Sequence, residues 1–269
     1  MKKFSVLSAM CALAVLAFSP AVYADMSPNG WVVIPEAVWA AATGGGTWVT
    51  ALQICALNTG SPVNIQFFYQ NTNSFRSVYT LFTSSGTRQT VRYSNILATM
   101  GSLDTEFDYY GRAGTLLIFA GTDYPLWAQA LTTNGNYGKS FPSFAWTSSN
   151  ASADVSRYMV IPGLTNSSTW RTSTGFWNST SGTMNVTFYV MLSGYVYTGT
   201  QIDRVFQPWG FMAFNPYVQA GISGTTYTNT YLLVWPSAKS GTGEGLFCYG
   251  SLANNYTNDT STLIAQPFQ

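Results

Sequence analysis

The feature that most constrains this chain is that its residue order occurs twice. Val33-Ile34-Pro35 returns as Val160-Ile161-Pro162, Thr47-Trp48-Val49-Thr50 as Thr169-Trp170-Arg171-Thr172, and Val63 to Tyr69 as Met184 to Val190. Further on, Leu116-Leu117-Ile118-Phe119 returns as Leu232-Leu233-Val234-Trp235. Leu126-Trp127-Ala128 through Asn134 and Tyr137 returns as Leu246-Phe247-Cys248 through Asn254 and Tyr256. Five matches in unbroken order, about 120 residues apart, mean duplication rather than coincidence. They predict one unit at 25–145 and a second at 157–269, joined by a Ser/Asn/Ala-rich linker at 146–156.

Inside each unit the local signals are strands. Val63 to Tyr69 alternates apolar and polar side chains, as does Met184 to Val190, the period of a strand with one buried face. Thr115–Ala120 and Tyr231–Trp235 are continuous apolar runs too short for helices, and read as central strands. Turn residues punctuate at short intervals, as in Asn58-Thr59-Gly60-Ser61-Pro62 and Asn134-Gly135. Each unit also carries one short helical turn. Asn95 precedes Ile96 to Met100 with Gly101 closing, and Asn215-Pro216 precedes Tyr217 to Ala220 with Gly221 closing. The expected fold is all-β: two tandem immunoglobulin-like antiparallel β-sandwich units.

The N-terminus reads Met1-Lys2-Lys3, an apolar stretch to Phe18, then Val22 and Ala24 at −3 and −1 before Asp25. That is the pattern of a cleaved secretory signal, so a mature chain from Asp25, in the periplasm or at the cell exterior, is expected. The apolar stretch is shorter than a spanning helix, and no later segment is long enough for one. The mature chain would hold nine basic and ten acidic residues. Charged residues make up 8% of the whole chain, too few for a basic patch, so nucleic acid is not an expected partner. Hydrophobic residues make up 46%, which supports a packed core and argues against disorder.

The string Ile161-Pro162-Gly163-Leu164, Thr169-Trp170-Arg171-Thr172, Phe176-Trp177-Asn178 resembles the opening of a repeat found in secreted bacterial proteins. In that repeat a Val/Ile-Pro start leads to Trp-Arg-Thr-Asp, an apolar strand and an Asn before a turn. The end, Leu246 to Asn254, resembles its closing strand. Ser173 stands where the repeat has Asp, and Val49 and Ala51 depart from it in the first unit. The resemblance implies tandem β-sandwiches on secreted or cell-surface proteins, with no assigned enzymatic activity.

Chemistry is constrained mainly by the absence of histidine. Ser-His and Cys-His nucleophile pairs, His metal ligands and a His general base are all excluded. Gly44-Gly45-Gly46 lacks the Lys-Ser/Thr of a phosphate loop, and Gly241-Thr242-Gly243-Glu244-Gly245 opens a strand rather than a helix. Asp104, Glu106 and Asp108 alternate and could share a strand face around a Ca²⁺ ion; the competing reading is a solvated acidic loop beside Arg112. Cys55 and Cys248 either form a disulfide, which an oxidising compartment favours, or stand as two small buried residues. Trp48 and Trp170 recur and read as core anchors. Trp39, Tyr109, Tyr110, Trp146 and Trp209 lie in turn-rich or non-repeating places and are candidates for stacking on a ligand; half-exposed packing between the two units explains them equally well.

No enzyme is expected from this inventory. The leading expectation is a secreted structural or adhesive protein that works through protein–protein contacts, self-association among them. The alternative is a pair of carbohydrate-binding modules that use exposed aromatic rings. No cofactor is expected beyond that Ca²⁺.

Overall fold

The computed structural model describes residues 30–42, 45–56, 60–69, 78–83, 88–121, 125–135, 137–146, 152–192, 196–257 and 260–268. The expected signal segment, residues 1–24, lies outside them. The strands of the N-terminal half are β1 (Trp31–Ala41), β2 (Thr47–Ala56), β3 (Pro62–Tyr69), β4 (Tyr79–Thr83) and β5 (Gln89–Tyr93). Helix α1 (Ile96–Leu103) follows, then β6 (Arg112–Phe119), β7 (Leu126–Asn134), β8 (Tyr137–Pro142) and β9 (Phe144–Ala145). The C-terminal half holds β10 (Ser152–Ala153), β11 (Met159–Asn166), β12 (Trp170–Asn178), β13 (Met184–Met191), β14 (Tyr197–Phe206) and β15 (Phe211–Phe214). Helix α2 (Pro216–Gln219), β16 (Tyr227–Lys239), β17 (Leu246–Asn254), β18 (Thr260–Ile264) and β19 (Gln266–Pro267) complete it.

All pairings are antiparallel, and their pattern recurs. β1 pairs with β6 and β9, as β11 does with β16 and β19. β2 lies between β5 and β7, as β12 lies between β15 and β17. β3 lies between β4 and β6, as β13 lies between β14 and β16. In the N-terminal half β1 also reaches β2 at Trp39–Ala41, which merges its strands into one nine-stranded sheet; the C-terminal half keeps two sheets of five.

Sequence explains the recurring details. Both copies break register just after the repeated Ile-Pro, between Ile34 and Ala37 and between Ile161 and Leu164. Proline has no N–H for the ladder, so each strand bulges there. The repeated threonine after the Trp bridges strands in the same manner: the Thr50 hydroxyl bonds both N–H and C=O of Val38, and that of Thr172 both of Thr165. Asn95 caps α1 by accepting from the Ala98 N–H, and Asn215 caps α2 by accepting from Tyr217 and Val218. α1 runs on through Gly101 to Leu103, where the Asp104 N–H closes on the Met100 carbonyl. Gly101 is thus no stop, whereas Gly221 takes the left-handed φ of 73° expected after a helix end.

One register differs between the copies. Phe67 of β3 opposes Leu116, whereas Phe188 of β13 opposes Val234, a slide of two residues relative to the sequence match. An even slide leaves every side chain on its original face. The described part of the segment expected as a linker, residues 146 and 152–156, is tied to the second half. Ser152–Ala153 pairs with Phe247–Leu246, Asp154 forms an ion pair with Lys239 at 2.8 Å, and the Arg157 guanidinium donates to the carbonyls of Ser152 and Glu244.

Two apolar clusters form the interior. The C-terminal one gathers Phe176, Phe188, Phe206, Leu232, Val234 and Cys248. The N-terminal one takes in Val33, Phe68, Leu117 and their neighbours, but also Trp177, Phe211, Phe247 and Tyr249 from the other half. β12 and β17 are therefore buried on both faces, which is why Leu246-Phe247-Cys248-Tyr249 reads as an unbroken apolar run.

Candidate functional site

The geometry of interest begins at the junction of the halves. The outward face of the sheet β4-β3-β6-β1-β9 is covered by the second half: Phe68 packs on Trp177 at 4.7 Å and on Trp209 at 6.0 Å between ring centroids. Trp146 sits between Trp31, Trp177 and Phe247. Phe68 is left 2% exposed, Leu117 3% and Val33 0%. At the rim, Trp31 stacks on Phe119 at 4.4 Å, beside a shallow recess with Ser61, Pro62 and Asn64.

Polar groups finish the junction. Glu36, in the β1 bulge, receives the Tyr249 hydroxyl from the second half and pairs with Lys139 at 2.5 Å. Burial first, then the Glu36 charge, push the Tyr249 phenol well above its ordinary range, so it donates as a neutral hydroxyl. Thr260 and Thr262 donate to the carbonyls of Gly138 and Ser140 at 2.5 Å each, covering the free edge of β8. Above Glu36 lies a cleft of about 220 Å³, also lined by Trp48, Thr132, Lys139, Arg171 and Ser251. Among its described lining residues Glu36 is the one carboxylate, bonded on both oxygens, with no partner carboxylate among them for hydrolytic chemistry.

The corresponding face of the second half, on β14-β13-β16-β11-β19, carries the same kind of residues with nothing from the described chain over it. Four rings form a row across it. Tyr158 meets Trp235 at 4.8 Å, Trp235 meets Tyr189 at 6.4 Å, and Tyr189 meets Tyr197 at 5.7 Å. Trp235 is 42% exposed and Tyr197 59%. Leu233 and Val160, cross-strand partners, sit between the rings. Beside the row, Asp203 accepts from Thr187 and Gln201 at 2.6 and 2.8 Å, and these bonds hold its carboxyl below the usual range. The β14 edge itself is closed by α2: Thr200 donates to the Ala220 carbonyl, and Arg204 bonds Gln219.

Placement of the sequence candidates divides them. Asp104, Glu106 and Asp108 do not converge, and no group of three metal-ligating side chains exists among the described residues. Asp104 is buried and accepts from the Tyr109 hydroxyl, and Asp108 caps the Tyr110 N–H. They follow a helix end rather than forming a strand, so alternation does not place them on one face. Cys55 and Cys248 are free thiols, Cys55 half-buried on β2 and Cys248 buried in the C-terminal core. Of the stacking candidates, Tyr109 is 1% exposed and packs on Phe67 and Phe107. Trp39 and Tyr110 meet edge-on at 5.4 Å near the β1 bend, while Trp146 and Trp209 belong to the junction. The rings that form the free row were passed over. Their signal was present: Trp235 repeats Phe119, and Tyr189 lies in an alternating strand at an outward position.

No protein-family model matches the chain, and no curated protein matches it. Among solved structures it is similar to a chain of "Structure of infectious bursal disease virus Gt strain", over 90% of this chain and 74% of that one. The sequence identity is 10% and the TM-score 0.16, at which a likeness carries no argument. No helix of the described residues is long and apolar enough to cross a membrane.

Proposed function

We propose that the chain is an exported, non-catalytic structural or adhesive protein, built of two tandem immunoglobulin-like sandwich units, that acts through protein–protein contacts. The observation that supports this is the free aromatic face of β14-β13-β16-β11-β19. A contiguous apolar patch of this kind marks an interaction site, and its counterpart in the first half is buried against the other half of the same chain. Export to the periplasm or cell surface rests on the N-terminal pattern, and the lack of catalytic chemistry on the absence of histidine together with the single carboxylate of the cleft.

A carbohydrate-binding reading has one observation in its favour: the ring row lies beside the Thr187–Asp203–Gln201 group, and sugars take both stacking and hydrogen bonds. Retention of the purified mature chain on cells of the organism that encodes it separates the two. Pretreatment of the cells with protease should abolish retention, and Tyr189→Asp with Trp235→Asp should do the same. Retention that survives protease and is destroyed by periodate would replace the protein reading with the carbohydrate one.

A further inference from the structure

We propose that the partner of the free face is a second copy of this chain, docked head to tail so that the internal junction is repeated between molecules. The proposal rests on the reading above and names its partner. Within one molecule, the sheet β10-β17-β12-β15 presents Trp177, Phe247 and Tyr249 to the first half. Strand pairing gives their counterparts without ambiguity. Trp177 opposes Phe247 just as Cys55 opposes Trp127, and Tyr249 and Gln129 each follow two residues on. The outward face of β5-β2-β7 is therefore the surface that covered the junction, in its first-half version. The described residues leave it uncovered: Cys55 and Trp127 are half-exposed and Leu131 is 47% exposed.

On the other side, Tyr158 stands where Trp31 does and Trp235 where Phe119 does, each pair in cross-strand contact on its own sheet. Each surface has one position more polar than in its internal version: Tyr158 for Trp31, and Gln129 for Tyr249. That is the composition of a contact that must also survive exposure in the free molecule. The buried pair of the junction has a neutral replacement. Gly163 takes the place of Glu36 in the bulge, and Gln129 that of Tyr249, so docking buries no carboxylate there. Each face carries one charge of its own. Arg92 is the sole charged residue of β2, β5 and β7 and shares the outward side with its partner Gln53, while Asp203 stands on the free face beside Thr187. Opposite charges on two surfaces of one molecule favour a heterologous contact over a face meeting itself. Because the two surfaces differ, the contact leaves one surface of each kind free on a dimer and propagates, into a ring where its rotation closes and into an open chain where it does not.

The test uses the mature full chain in sedimentation velocity over a range of concentrations. Wild type is expected to gain mass with concentration. Tyr189→Asp/Trp235→Asp alone and Trp127→Asp alone should each stay monomeric, whereas their mixture should form one-to-one dimers and stop. Because a folding defect could imitate loss, the exposed charges give a milder series. Asp203→Arg and Arg92→Asp should each raise the half-assembly concentration about tenfold, and the chain carrying both should recover wild-type assembly. Wild type of constant mass at every concentration would overturn the head-to-tail contact. So would a Trp127→Asp variant that assembles as wild type does, since that outcome means the free face pairs with itself. Retention on cells deleted for the gene separates these failures from failure of the broader reading: a protease-sensitive signal there means that the face takes a different protein.

Discussion

Removal of Lys139 is the perturbation whose size the structure sets most clearly. Glu36 and Lys139 meet at 2.5 Å with side chains 11% and 13% exposed, so water screens the pair only weakly. Lys139→Met keeps an apolar stem over the Phe141 ring, on which the ammonium now sits at 5.0 Å, and removes the charge alone. Glu36 would then be a buried carboxylate with Tyr249 as its remaining partner, and breaking a buried pair in this one-sided way costs about 3–5 kcal/mol. In a chain of this size each kcal/mol lowers Tm by about 2–4 °C, so a fall of roughly 6–20 °C is expected. Glu36→Gln keeps an acceptor for the Tyr249 hydroxyl while it removes the second charge. The double variant should therefore return to within about 1 kcal/mol of wild type, since losing both charges can be close to neutral. Guanidinium unfolding at pH 7, read by tryptophan fluorescence, gives all four corners of the cycle. A Lys139→Met variant within about 1 kcal/mol of wild type, or a double variant as unstable as the sum of the singles, would refute the reasoning. The first would mean that the cleft above Glu36 admits enough water to solvate the carboxylate, the second that the loss comes from packing and not from the unpaired charge.

Three further outcomes are expected. Gly175→Ala places a Cβ against the Tyr249 ring, and overpacking of this kind costs about 1–3 kcal/mol; unfolding at wild-type midpoint would show that Tyr249 moves freely. A thiol reagent should titrate Cys55 in the folded mature chain and Cys248 only in denaturant, because burial raises the Cys248 thiol and shields it. A disulfide would leave no thiol to titrate in either condition. Burial raises the Tyr217 phenol to about 12, its hydroxyl bonded to Thr230 at 2.6 Å. Between about pH 10 and 12 the unfolded chain loses that proton while the native one keeps it, so this contribution to stability is complete below pH 10 and lost above. Tyr217→Phe should flatten the fall in unfolding free energy over that window, and an unchanged slope would assign it to other groups.

What could be read from the sequence, and what could not, follows from where each constraint resides. Strands and the Asn caps come from local rules: alternation of apolar and polar side chains, and an Asn before a helix. Such rules act within a few residues, so they were legible. The two-residue slide of β13 against β16 was not, because an even slide preserves the face and leaves the apolar pattern unchanged. Nor was the junction. Glu36 gave no signal beside Pro35, and its importance comes from Tyr249, 213 positions away. Of the two readings open for the five aromatic candidates, packing between the halves is the one that Trp146 and Trp209 take.

Burial of an outward-facing apolar residue is decided by what docks on it rather than by its own strand. Phe68 and Tyr189 both lie on outward faces of matching strands, yet one is covered by Trp177 and the other lies open beside Trp235. Within the described residues the second half closes the face of the first, while the matching face of the second half and the matching surface of the first are left uncovered. Here the substitutions are partial: Trp31 to Tyr158 on one side and Tyr249 to Gln129 on the other, with Trp127 and Trp235 kept apolar and Leu131 standing where the second half has Ser251. Full conversion to charge would be the expected device for keeping molecules apart. Its absence on both surfaces is the physical reason to look for contact between chains before looking for a small ligand.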